Sequence, residues 1–270
     1  MIKSCVVRTE DADIAYDIEG EGPLLLLIAG GNGDSKIFTK LSTYLSDRYT
    51  VVRYDRRADG RSTGDINGEM DMEQAGRDAA AVIKALNLGS AYVFGSSAGA
   101  NIALELTAQH PELVKGLIAH EPPVVNILPE NEASKWQALF HEVSKTFNTK
   151  GAAQAMALFG TCFIGFEQEA IRPTEHIAAT HERFLAHEFV HINHYVPCID
   201  VLRSSGVPIV MTAGRASGEA FYAKTAREVA RQLSCTYVDI IGHHLGYRFQ
   251  DALQFSEELD QIITIYLNHN

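Results

Sequence analysis

The chain has 270 residues, 46% of them hydrophobic and 21% charged, which is ordinary for one globular domain or a domain carrying an insertion. At this size about 75% of the unfolded surface can be buried, so a core needs no disulfides. The formal net charge of -11 argues against nucleic acid or an anionic membrane surface as partner, because both would be repelled overall. Cys5, Cys162, Cys198 and Cys235 show no C-x-x-C spacing and read as four buried thiols of a reducing compartment. No apolar leader segment opens the chain, and no run approaches the ~20 apolar residues of a membrane span, so a cytoplasmic location is expected.

Residues 6–9 and 14–18 flank the polar turn Glu10-Asp11-Ala12-Asp13 and predict a hairpin. Pro23 opens the unbroken apolar run Leu24 to Ala29, which suits a strand covered on both faces; Gly30, Gly31, Asn32 and Gly33 end it. A helix follows near Ser35 with Phe38, Leu41 and Leu45 on one side, then a strand over 49–54. Ala75, Ala79, Val82, Ile83 and Leu86 stand at helical spacing over 72–86. A short buried strand at 91–95, a helix at 101–110 stopped by Pro111, and a strand at 114–119 continue the alternation. Such alternation predicts βαβ units and a mainly parallel sheet.

The rhythm changes over 124–196, where only helix-like stripes are visible. One is Trp136, Leu139, Phe140 and Val143; another is Ala155, Met156, Leu158 and Phe159; a third spans 184–192. Strands at 208–214 and 236–241 and helices at 219–233 and 252–267 then resume the pattern. A structureless loop of some seventy residues would be unusual, so a helical insertion divides a core made of 1–123 and 197–270.

Gly95-Ser96-Ser97-Ala98-Gly99 fits G-x-S-x-G, which chance would give on the order of 0.1 times in such a chain. It follows a predicted strand and precedes a helix, as a nucleophile elbow requires. A serine on so tight a turn leaves little room for neighbours, hence a glycine two residues to either side. The helix start offers N–H groups to a developing oxyanion. A plain Gly/Ser turn opening a helix is the competing reading. His187-Glu188-Phe189-Val190-His191 fits H-E-x-x-H. Its two histidines share a helix face, with Glu188 placed to act on a zinc-bound water. His194 is an unusual third ligand, so a zinc hydrolase is the remote alternative, and a helix with histidines on its polar face is the plainer one. Gly20, Gly22 and the Gly30–Gly33 loop lack a following Lys-Ser or Lys-Thr, which argues against a phosphate loop.

Over nearly its whole length the chain resembles the α/β-hydrolase superfamily. Beside the serine motif, Leu24 to Ser35 resembles the strand-end loop that usually reads His-Gly-x, with Ala29 in the histidine position. The segment Tyr54-Asp55-Arg56-Arg57-Ala58-Asp59-Gly60-Arg61-Ser62 resembles the family turn D-x-R-G-x-G-x-S, with Ala58 replacing a glycine. Gly242-His243-His244, after a strand, resembles the segment bearing the catalytic histidine. The resemblance implies a mostly parallel eight-stranded sheet with helices on both faces, an antiparallel first hairpin, and a helical cap at 124–196.

It also implies Ser97 as nucleophile and the N–H groups of Gly31 and Ala98 as the oxyanion hole. The base is His243 or His244, with His244 preferred for its distance to the final helix and for the Leu245-Gly246-Tyr247 that follows. The acid departs from the family pattern. Gly214-Arg215-Ala216-Ser217 puts serine where aspartate is usual, and serine carries no charge to stabilise an imidazolium. Glu121 and Glu219 are the substitutes. Glu121 is preferred because a strand end is rigid and Pro122-Pro123 restrict the chain's exit, although an exposed loop carboxylate is the plainer reading of it. The expected function is Ser-His-acid hydrolysis of a small carboxylic ester, thioester or lactone, without metal or cofactor, in a monomer or homodimer. A hydrolase-fold sensor with little turnover is the rival, motivated by Ser217. Trp136, Phe140, Phe147, Phe159, Phe163 and Phe166 either line an acyl or aryl pocket or pack the cap on itself. Arg56 and Arg57 anchor the loop after the fourth strand.

Overall fold

The computed structural model describes residues 2–31, 33–166, 180–249 and 251–268. Asn32 of the glycine loop and residues 167–179 of the predicted cap lie outside the described residues. Eight strands form one sheet: β1 (Lys3–Arg8), β2 (Asp13–Glu19), β3 (Leu24–Ile28), β4 (Thr50–Tyr54), β5 (Ala91–Ser96), β6 (Val114–His120), β7 (Ile209–Gly214) and β8 (Thr236–Ile240). Their order is β1-β2-β4-β3-β5-β6-β7-β8. Only β2 runs against its neighbours, pairing antiparallel with β1 and β4; the other pairs are parallel.

The continuous apolar run of β3 has a direct explanation. Leu24, Leu26 and Ile28 enter one core, and Leu25 and Leu27 enter the other, because successive side chains point to opposite faces. Helices α1 (Thr39–Leu45) and α9 (Ala252–Ile262) cover the second face through Leu41, Leu45, Phe255 and Leu259. Helices α2 (Met72–Leu86), α3 (Ala98–Gln109) and α8 (Phe221–Leu233) cover the first. Asp71 caps α2 by accepting the Glu73 and Gln74 N–H groups, and Asn87 ends it in the left-handed region at φ 54. Helix α3 begins three residues before the apolar periodicity does. Ala98, Gly99 and Ala100 carry almost no hydrophobic signal, yet they are buried against the sheet.

Between β6 and β7 every described element is helical: α4 (Glu130–Lys150), α5 (Ala152–Gly160), a π turn (Phe184–Glu188) continuing into α6 (Phe189–His194), and α7 (Ile199–Ser204). Most of the aromatic side chains pack on one another, as the plainer reading expected. Phe159 meets Phe189 at 5.1 Å, and Phe140 meets Phe221 of α8 at 5.4 Å. This third cluster reaches Ala98 at the foot of α3. The cysteines differ from expectation. All four are free thiols, but only Cys162 is buried; Cys198 is exposed, and Cys5 and Cys235 are half-buried. Among the described residues no helix is long and apolar enough to cross a membrane.

Candidate active site

Strand β5 ends at Ser96 and α3 begins at Ala98, which leaves Ser97 alone at the bend with φ 56 and ψ -128. Such a conformation costs a non-glycine residue on the order of 1–3 kcal/mol. The bend also fixes its neighbours. A Cβ at Gly95 would stand 2.2 Å from the Gly99 carbonyl oxygen, and one at Gly99 would stand 2.1 Å from that of Ile28. Ser97 itself is half-buried rather than sealed, and its N–H donates to the His120 carbonyl at 2.9 Å. The loop leaving β3 passes beside it: a Cβ at Gly30 would lie 3.5 Å from Ser97 Oγ. Gly31 lies under the Phe184 ring. Ala98 opens α3, where the first N–H groups have no partner within the helix.

Glu121 follows β6 and is fully buried, with its backbone in the left-handed region at φ 52. Its N–H donates to the Thr212 carbonyl at 3.0 Å, tying it to β7. Its Oε1 accepts the Gly214 N–H at 2.8 Å, and its Oε2 lies 2.6 Å from His244 Nδ1. Burial pushes the Glu121 carboxyl up, and His120 and the hydrogen-bonded His244 more than offset it, leaving it below the ordinary carboxylate range. The His244 ring is packed on Tyr222 at 4.4 Å and Phe163 at 5.3 Å.

The other expected candidates are placed elsewhere. His243 Nδ1 accepts the Leu245 N–H at 3.1 Å, and its ring lies 3.9 Å from Phe166. Glu219 is 78% exposed and pairs with Arg227 at 2.9 Å. Ser217 is fully buried after β7. Of the two carboxylates considered, Glu121 is the one brought to an imidazole of the Gly242-His243-His244 segment.

The zinc reading of H-E-x-x-H is overturned. The Glu188 carboxylate is buried between the Arg56 guanidinium at 2.6 Å and that of Arg183, so it is already paired and not free to serve as a general base. His191 and His187 both face Glu69, at 3.0 and 3.5 Å. Among the described residues no three His, Cys, Asp or Glu side chains are grouped to hold a metal. Asp59 completes the cluster, 3.5 Å from Arg56 and 3.8 Å from Arg183. Burial pushes its carboxyl up to about 6 against the pull of Arg56. Arg57 pairs with Asp78 at 2.8 Å. Both arginines therefore anchor the loop after β4, as expected. The sequence reading missed Asp59, Arg183, His120 and Tyr222. His120 alone carried a signal, as the neighbour of Glu121 on a strand end.

A family model described as alpha/beta hydrolase fold matches residues 23–199. The chain belongs to this family, and the eight-stranded sheet and its strand order agree with it. Among individual proteins it is 32% identical over 268 residues to the Uncharacterized hydrolase YraK of Bacillus subtilis, covering 97% of this chain and 96% of that one. Among solved structures it is similar in fold to a thermophilic esterase from Thermogutta terrifontis with malate bound, with a TM-score of 0.76, 19% identity, and 98% and 99% of the two chains covered. The enol-lactonase from Burkholderia xenovorans LB400 gives a TM-score of 0.74 and 18% identity over 96% of this chain and 100% of that one. The chain is thus an enzyme of the α/β-fold hydrolase class.

Proposed function

We propose that this chain hydrolyses small ester-like substrates (carboxylic esters, thioesters or lactones) through an acyl-enzyme on Ser97. The observation that carries the reading is the 2.6 Å contact between Glu121 Oε2 and His244 Nδ1, in a protein whose Ser97 is thrust out of a strand-to-helix bend. In this mechanism His244 donates its Nδ1–H to the Glu121 carboxylate and presents Nε2 as base. It takes the Ser97 proton while Oγ attacks the carbonyl carbon. The N–H groups of Gly31 and Ala98 receive the oxyanion, and His244 returns the proton to the leaving oxygen or sulfur. A water activated by the same imidazole then releases the acid and frees Ser97. Glu121 stays ionised throughout, stabilising the transient imidazolium.

Residues 124–196 serve as the cap in this reading. Phe184 against Gly31 and Phe163 against His244 supply an apolar wall on either side of the reacting carbonyl. The fold likeness to an esterase and an enol-lactonase supports a small oxygen ester or lactone. A small molecule as sole partner, in the cytoplasm and without a cofactor, belongs to the same proposal. Turnover is favoured over the sensor alternative because Glu121 brings the negative charge that Ser217 lacks.

The test is a panel of p-nitrophenyl esters and small lactones, combined with a fluorophosphonate label. Turnover and labelling are both expected in the native chain and both lost in Ser97→Ala. Hydrolysis that persists in Ser97→Ala overturns the proposal.

A further inference from the structure

We propose that His120 is a positioning residue for the acid of this site: as a neutral imidazole with its proton on Nε2, it keeps Glu121 ionised and turned toward His244. For its catalytic consequence this rests on the Ser97 reading above. His120 adjoins all three members of that site. Its carbonyl accepts the Ser97 N–H at 2.9 Å. Its Nε2 stands 3.7 Å from Glu121 Oε2. Its ring faces the His244 ring at 6.4 Å, with 27° between the planes.

The side chain is fully buried, and its surroundings select one tautomer. Nδ1 lies 3.1 Å from Thr212 Oγ1, and a hydroxyl can either donate or accept. Nε2 is left without a hydrogen-bond partner of its own. If Nδ1 carried the proton, the Nε2 lone pair would face a carboxylate oxygen in a low-dielectric interior. If the Thr212 hydroxyl donates to Nδ1, the positive end of the Nε2–H dipole faces that oxygen instead, which is the favourable arrangement. Burial holds the ring neutral, pulling its imidazolium down to about 4. The titratable groups facing His120 are Glu121, His243, His244 and Tyr247. Phe94 of β5 and Phe255 of α9 close the remaining sides. Glu121 in turn faces His120, His244, Ser217 and Tyr222.

Three variants separate this role from simple packing. His120→Phe keeps an aromatic ring among Phe94, Tyr247 and Phe255 but deletes the N–H. His120→Gln keeps an N–H donor at the same reach but deletes the ring. Packing alone ranks Phe above Gln, and positioning of the acid ranks Gln above Phe. With p-nitrophenyl acetate, His120→Phe should lower kcat about 10- to 100-fold with little change in KM. It should also steepen the acidic limb of kcat/KM, because Glu121 then takes up a proton at a higher pH than in the native chain. His120→Gln should restore most of both. Thr212→Val, which removes the hydroxyl that sets the tautomer, should act in the same direction and more weakly.

The 13C NMR shift of the Glu121 carboxyl gives a readout that needs no turnover. In His120→Phe it should report protonation at a higher pH than in the native chain. Unchanged kcat, pH limb and carboxyl titration in His120→Phe would overturn the proposal. If that variant does not fold, native behaviour of Thr212→Val overturns it equally. Absence of Ser97-dependent turnover in the native chain would sink the function proposed above, and the NMR titration alone would then decide the role of His120.

Discussion

Glu121 and Glu188 are both preceded by histidine, both buried, and held in opposite ways. Glu188 is enclosed by Arg56 and Arg183, and Asp59 completes a group of two cations and two carboxylates that joins the loop after β4 to the π turn. Among the described residues no guanidinium or ammonium group pairs with Glu121. A backbone N–H and neighbouring imidazoles hold it. A carboxylate balanced by guanidinium has no charge left to stabilise a new imidazolium, whereas one held by neutral donors does. The first arrangement ties two segments together; the second, under the proposed mechanism, keeps its charge available for an imidazolium.

That contrast is broken or sharpened first by paired substitutions. Glu121→Gln should reduce kcat for a p-nitrophenyl ester about 10³- to 10⁴-fold near neutral pH, while circular dichroism shows a folded chain. Glu188→Gln should leave kcat of the folded protein within a few-fold. It leaves the buried Arg56 guanidinium with only the longer Asp59 contact and should lower stability by about 3 kcal/mol in urea titration. If Glu188→Gln loses activity as Glu121→Gln does without losing stability, the two carboxylates are not different in kind.

Acid titration of stability gives the next effect. His120 refuses a proton in the folded chain until about 4, while an unfolded histidine accepts one near 6.5. The unfolded state therefore binds more protons between those values, and stability falls as pH drops through that window, by about 3 kcal/mol from this group. Glu121, held below its ordinary range, adds a loss in the same direction as pH falls. Asp59 acts oppositely. With its carboxyl pushed up to about 6, the folded state takes the proton first, so this contribution is present at low pH and lost as pH rises through about 6. Urea midpoints at pH 4.5 and 7 should show His120→Phe flattening the acid loss and Asp59→Asn deepening it by about 2 kcal/mol. Glu219→Gln gives the smallest effect. This exposed carboxylate should leave kcat within about twofold, and a large loss would move the acid away from Glu121.

Much of this was legible in the sequence where local constraint is strict. The β3 run, the α2 periodicity and the G-x-S-x-G spacing each answer to geometry within a few residues, and each stands where it was expected. The preference for Glu121 over Glu219 rested on a rigid strand end and the Pro122-Pro123 exit, and the structure places Glu121 beside His244 while Glu219 stays exposed. The tie between Arg56, Asp59, Arg183 and Glu188 was not legible, since it joins residues more than a hundred positions apart. The H-E-x-x-H match misled for the same reason: spacing shows which side chains share a face, not what faces them. Tyr222 against His244 left no trace, because an aromatic on a helix face reads as core.

Ser97 and Glu121 both occupy backbone conformations that glycine would adopt without penalty, at φ 56 and φ 52. They lie at the tips of adjacent strands. Under the Ser97 proposal the polypeptide concentrates its conformational discomfort where its chemistry would be, so drift to glycine at either position would trade reactivity for heat tolerance.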